Sequence, residues 1–198
     1  GLVDAEVEHD QYGFPYLRGR TLKGLLAEEG ANLLFSLNSS EAHQEWEKEA
    51  HFLFGRPGST LEDDASMHVG NATLPTDLRA AVRAEIASKR YTPNGVLKSL
   101  TAIRRQTAMD ESGVPDPGSL RSSRVILRET PLEAPLYFAD PPEERALALL
   151  AACVQALRRV GVGRNRGCGR VEARLCTPEG DTVSPKRLFR LLGEEVSS

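Results

Sequence analysis

Apolar residues recur along this chain with two periods, and the change from one to the other marks its elements. Leu22, Leu25, Leu26, Leu33 and Leu34 carry the spacing of one helix face, which predicts a helix over residues 22–35 with Thr21 as its N-cap. A second helix begins at Ser39 or Ser40, passes Trp46 and Ala50, and ends after Leu53 at Phe54-Gly55-Arg56-Pro57-Gly58. Residues 66–74 read as a strand. Thr76 then begins a helix through Leu78, Val82 and Ile86, and Thr92-Pro93 caps a short helix to Leu100, with proline at its first position. Residues 103–109 and 122–127 are short strand-like runs around Ser112-Gly113-Val114-Pro115-Asp116-Pro117-Gly118, the pattern of a long hairpin with an elaborate tip. Residues 130–138 form a further strand, whose two prolines suit a sheet edge. Pro141-Pro142 opens the strongest helix, residues 142–159, on which Leu147, Leu149, Leu150, Val154 and Leu157 make a broad apolar face. A strand over 169–176 and a last helix from Ser184-Pro185 complete the pattern.

Composition narrows the picture. A chain of 198 residues with 40% apolar and 27% charged positions is expected to build one globular domain with appendages. No apolar run reaches the ~20 residues of a membrane span, and the first residues lack the basic and apolar regions of a signal peptide, so a cytoplasmic protein without a membrane partner is expected. Cys153, Cys168 and Cys176 show no CxxC spacing, which argues against a disulfide framework or a zinc site. The net charge of −3 excludes a wholly basic nucleic-acid coat. Charge is uneven, however: residues 158–174 hold six arginines and one acid, while residues 41–64 hold seven acids, one lysine and one arginine.

The basic end of that gradient is the most informative stretch, Arg158-Arg159-Val160-Gly161-Val162-Gly163-Arg164-Asn165-Arg166-Gly167-Cys168-Gly169-Arg170. Glycines let a backbone lie close to a ligand, and arginines supply planar forks that fit phosphate oxygens. A Walker loop would need Gly-Lys followed by Ser or Thr, and a dinucleotide fingerprint would open a helix rather than follow one. A grip on a polyanionic backbone remains, beside the plain alternative of a glycine-rich turn with solvated arginines.

Taken together the segments resemble the RAMP superfamily of CRISPR-associated proteins, in particular the backbone subunits of type III effector complexes. Three stretches carry the likeness. Val3-Asp4, Val7 and Asp10 precede Gly13-Phe14-Pro15-Tyr16-Leu17-Arg18-Gly19-Arg20-Thr21-Leu22-Lys23-Gly24, which is similar to the family's Gly-Xaa-Pro-Tyr-Ile-Pro-Gly-Ser-Ser-Leu-Lys-Gly, with Arg18 and Arg20 replacing a Pro and a Ser. Ile103-Arg104-Arg105 through Met109-Asp110 and Gly118-Ser119-Leu120 resembles the family's thumb hairpin. The glycine-rich loop at 161–169 lies near the C-terminus, as in the family.

The resemblance implies an α+β fold: a ferredoxin-like, RRM-type βαββαβ core in one domain over residues 1–198, with a helical and loop insertion at 36–65 and a thumb hairpin at 101–128. The family's first β-strand would precede Gly1. The implied function is that of a type III effector subunit that binds guide RNA (crRNA) and presents or cleaves complementary target RNA, beside other subunits or fused domains of the complex. A non-catalytic structural or cap subunit is the near alternative, and a ferredoxin-like regulatory module binding a small anionic ligand is the alternative of another class.

Asp4 matches the family position that serves target cleavage, which implies a metal-dependent endoribonuclease with Asp4 holding a divalent Mg or Mn ion. Arg18, Arg20 and Lys23 lie at the start of the first helix, where backbone N–H groups also favour anions. Arg104 and Arg105 on the rising thumb strand would follow phosphates, and Met109 near the tip would wedge between bases. In the loop, Gly161, Gly163, Arg164, Arg166, Gly167 and Arg170 would line the RNA backbone. His9 and Asp10 read as positional residues, His43 and Glu47 as an exposed i,i+4 pair, and Tyr12, Phe14 and Tyr16 as packing for the turn.

Overall fold

The computed structural model describes residues 3–36, 43–56, 65–107, 113–114, 118–164, 167–184, 186 and 190. In chain order the elements are α1 (Gly19–Ser36), α2 (His43–Phe54), β1 (Met67–Val69), α3 (Thr76–Ala87), α4 (Pro93–Leu100), β2 (Thr101–Gln106), β3 (Arg121–Ile126), β4 (Leu136–Phe138) and α5 (Glu144–Ala156). They divide into two compact units, each assembled from two stretches of chain: Gly1–Arg18 with Asn71–Pro135, and Gly19–Gly70 with Leu136–Ser198. Among the described residues the strands form two separate two-stranded antiparallel sheets.

In the second unit, α5 is buried on nearly every side, from Ala146 through Leu149, Leu150 and Cys153 to Val154, as expected of a helix that is apolar all round. Leu25, Leu26 and Leu34 of α1, Trp46 and Leu53 of α2, and Met67 of β1 share its core. Each fully buried leucine contributes about 1.5–3 kcal/mol relative to exposure. Gly30 lets α1 come close: a Cβ there would lie 3.1 Å from the Phe54 ring and 3.4 Å from Cys153 Sγ. β1 and β4 pair from Met67 opposite Phe138 to Val69 opposite Leu136. The expected strand over 130–138 is thus mostly irregular, and β4 starts directly after Pro135, where backbone N–H groups become available again. Thr21 is not the cap of α1, since the helix begins two residues earlier; a Cβ on Gly19 would lie 2.0 Å from the Val69 carbonyl oxygen, so only glycine fits that start. The expected start of α2 at Ser39 or Ser40 lies outside the described residues, as does most of the last helix.

The first unit is built on Phe14, Leu74 and Val96, with Val82 and Ile86 of α3, Leu100 and Leu132 packed around them. Asp10 fixes the approach to Phe14: its Oδ1 accepts from the backbone N–H of Tyr12 at 2.9 Å and of Phe14 at 3.0 Å, so the residue is positional as the sequence implies. Gly13 turns there with φ +83°, and any Cβ would fall 2.0 Å from the Pro93 carbonyl oxygen. Thr92 caps α4 as expected, its hydroxyl accepting from Gly95 N–H, with Pro93 opening the helix. The expected strand over 66–74 breaks at Gly70-Asn71, beyond which single bridges join Leu17 to Ala72 and Thr73 to Glu133. β2 and β3 form the long hairpin, from Thr101 opposite Ile126 to Gln106 opposite Arg121. Residues 4–6 run parallel along β3, with Arg124 N–H donating to the Ala5 carbonyl at 2.9 Å.

Candidate nucleic-acid interface

The glycine-rich segment is the tip of a narrow antiparallel ribbon. Past α5, Val160 N–H donates to the Gly169 carbonyl and Val171 N–H to the Arg158 carbonyl, both at 2.9 Å, with Arg159 opposite Arg170. Val160 and Val171 pack on the core, and both arginines of the pair are exposed. Gly169 closes the ribbon with φ +70°, and a Cβ there would sit 1.8 Å from the Val160 carbonyl oxygen. Gly161 and Gly167 also turn through positive φ but face open space, so they serve backbone direction rather than close approach. Val162 stands at the tip with 102% exposure.

The expected strand over 169–176 shows the right alternation, Val171, Ala173 and Leu175 inward and Glu172, Arg174 and Cys176 outward, yet it has only single bridges at Arg170 and Cys176. Each end turns back on a different neighbour, Arg159 and Thr182, so no ladder extends between them.

Arg164 is clipped rather than free. Its guanidinium makes a bidentate pair with Glu28 on α1, Nη1 to Oε2 at 2.8 Å and Nη2 to Oε1 at 3.2 Å, and these bonds and the carboxylate charge raise its pKa. Arg159 Nη1 donates to the Arg164 carbonyl at 3.2 Å, which braces the loop from inside. Arg158 and Arg170 are exposed and donate no side-chain hydrogen bond among the described residues. The pair with Glu28 joins the loop to the helix that carries Arg20 and Lys23; Arg20 is exposed, Lys23 half-buried, and Arg20 lies roughly 12 Å from Glu28 along the axis at 1.5 Å per residue. Arg166 lies outside the described residues.

Asp4, Arg18, Arg104 and Arg105 belong to the first unit. Arg18 is exposed and paired with Glu8 at 2.7 Å, and that hydrogen bond and charge raise its pKa. Arg104 and Arg105 are exposed on β2 and, as successive strand residues, point to opposite faces of the hairpin. Asp4 is brought beside the start of β3, toward the loop end of that hairpin: its Oδ2 accepts from Ser122 N–H at 2.6 Å and its own N–H donates to the Ser122 carbonyl at 2.8 Å. Ser122 is the register partner of Arg105. Met109 lies outside the described residues.

A divalent ion is compatible with Asp4 only as one ligand among waters and phosphate oxygens. One carboxylate oxygen already serves Ser122, and no group of three or more His, Cys, Asp or Glu side chains able to hold a metal exists among the described residues. No described helix is long and apolar enough to cross a membrane. Glu28, Glu8 and Ser122 escaped the sequence reading. The Glu28–Arg164 pair spans 136 positions, and no local spacing announces it.

No curated protein matches the chain. Among solved structures it is similar to a chain in type III-B Cmr-beta in the apo state, at 12% identity over 88% of this chain and 89% of that one, with a TM-score of 0.58. It is also similar to a chain in type III-B Cmr-beta bound to cognate target RNA, at 11% identity over 85% and 86% of the two chains, with a TM-score of 0.54. The model of the RAMP superfamily matches residues 1–172, which takes in the first unit, most of the second and the arginine-rich ribbon, and the chain therefore belongs to the RAMP superfamily.

Proposed function

We propose that this protein is an RNA-binding subunit of a type III CRISPR effector complex, holding guide RNA and presenting the target RNA paired with it. The observation that carries this reading is the ribbon at 158–171, whose backbone is fixed by Gly169 and the Glu28 clip while Arg158, Arg159 and Arg170 face solvent. Membership of the RAMP superfamily and the fold shared with Cmr-beta chains, one of them in a target-bound structure, support it. Sequence choice would rest with guide–target pairing, and the protein would read backbone shape and 2′-hydroxyls. Arg20 and Lys23 would extend the phosphate contacts along α1, and Arg18, Arg104 and Arg105 would add those of the first unit. Gly161, Gly163 and Gly167 would let the RNA backbone approach, and Arg166 and Met109 complete the proposed contacts. Its partners would be RNA and the other subunits, its place the cytoplasm, and its core the ferredoxin-like one of the family, with β1 and β4 forming part of that sheet.

Titration of guide RNA against the 198-residue chain at several salt concentrations tests this. Arg158→Ala combined with Arg170→Ala should weaken binding evenly across sequences and reduce the slope of log K against log salt by about 1.4–1.8, the value of two phosphate contacts. An unchanged affinity and slope would refute the proposed contact.

A catalytic role for Asp4 is part of the same proposal. Its carboxylate would hold a magnesium or manganese ion, which supplies charge stabilisation at a phosphate undergoing cleavage. A structural subunit without chemistry is favoured by one observation, the commitment of Asp4 Oδ2 to the Ser122 backbone.

A further inference from the structure

A cavity of about 280 Å³ opens within the first unit, lined by Asp10, Phe14, Tyr16, Asn71, Thr73 and Arg79 among others. Its charged groups are incompletely used. Arg79 Nη2 donates to Thr76 Oγ1 at 3.3 Å, but its Nε is buried without an acceptor among the described residues. Asp10 receives both of its hydrogen bonds on Oδ1, which leaves Oδ2 without a donor among the described residues. The two are not paired with each other, so one wall offers a donor and another an acceptor. The Nε of Arg79 is closed off from the cavity, but Arg79 Nη1 donates to nothing among the described residues, and a ligand atom facing it supplies an acceptor.

We propose that this cavity takes a guanine base. One carboxylate and one guanidinium make the lining neutral overall, which disfavours a phosphate and favours an uncharged ligand that both donates and accepts. The volume lies just under the ~300 Å³ at which small-molecule sites begin, which suits a single nucleobase. Phe14, 2% exposed, gives the ring an apolar wall. Guanine presents N1–H and an exocyclic amine to a carboxylate such as Asp10, and O6 and N7 to a guanidinium such as Arg79. Adenine lacks N1–H and places an amine where guanine has O6, so it mismatches both walls. The site is built from residues of the first unit alone, so the proposal does not depend on the arginine ribbon.

Calorimetric titration of the 198-residue chain with guanosine, inosine and adenosine monophosphates reads this out. GMP should bind at least about 10-fold tighter than AMP, the scale of one lost bidentate pair, with IMP between them. Asp10→Asn keeps the Oδ1 acceptor of the turn and presents an amide donor to the cavity, so the preference for GMP should vanish; Arg79→Gln should weaken GMP by a similar factor. Should Asp10→Asn fail to fold by circular dichroism, Arg79→Gln alone decides, because the side-chain bond of Arg79 among the described residues is to Thr76 on the same helix. Single-stranded UUGUU and UUAUU distinguish the source. Tighter binding of UUGUU than of GMP assigns the base to an RNA strand, and equal binding assigns it to a free nucleotide. Equal affinity for GMP and AMP, or GMP binding untouched by Arg79→Gln, overturns the proposal.

Discussion

Asp4 holds the backbone of Ser122, 118 positions away, with one carboxylate oxygen and keeps the other for whatever approaches the start of β3. If it supports cleavage, Asp4→Ala in an assembled complex should leave guide and target binding within about 1 kcal/mol, because one carboxylate adds little to a phosphate-dominated affinity. Cutting should fall at least ~100-fold, the scale of a positioned catalytic group. Single-turnover cleavage of a guide-matched RNA with magnesium and with chelator measures both. A wild-type complex that binds target without cutting it, or an unchanged rate in the variant, leaves the structural-subunit reading in place. Cys153 illustrates a different consequence of position. Burial, with the charge of Glu29 beside it, pushes its thiol from 9.0 up to about 12. A raised thiol pKa means stability fully present below the unfolded value and lost as pH climbs through that interval. The urea midpoint of the wild type should therefore drop between pH 9 and 12 more steeply than that of Cys153→Ala. A thiol reagent at pH 8 should label exposed Cys168 and Cys176 quickly and Cys153 only as the protein unfolds.

At the scale of elements, the ribbon depends on Gly169 more than on its arginines. Gly169→Ala forces a side chain into φ +70° and into the Val160 carbonyl oxygen, so it should cost well over ~1 kcal/mol in denaturant unfolding and blunt RNA binding without removing any charge. Gly167→Ala, with the same sign of φ but open space, should cost less. The reason the helices were legible in the sequence is that their faces bury a 3.6-residue repeat, and the thumb was legible because its two strand-like runs follow each other in the chain around a cluster of Gly and Pro. The segment at 169–176 was half legible. Its alternation is visible in burial, but its hydrogen-bond partners sit on two separate turns that no period encodes. Thr21 misled for a similar reason: the start of α1 is set by the fit of Gly19 against Val69, a contact between residues 50 positions apart.

At the scale of the whole chain, a net charge of −3 hides a basic ribbon on an acidic remainder, and that asymmetry was readable from composition alone. The pairing of Arg164 with Glu28 was not, since charge counts cannot tell a phosphate-facing arginine from one already matched within the fold. The candidate site was therefore legible as chemistry and not as geometry. The two units interlace along the chain, the first closing at Pro135 and the second only with the stretch from Leu136. On the ribosome, the leucines of α1 and Trp46 of α2 thus emerge roughly a hundred residues before α5, the helix that covers them. The first unit can complete itself in the meantime, while the apolar faces of α1 and α2 must wait exposed, and that interval is when a nascent chain of this architecture has most need of a chaperone.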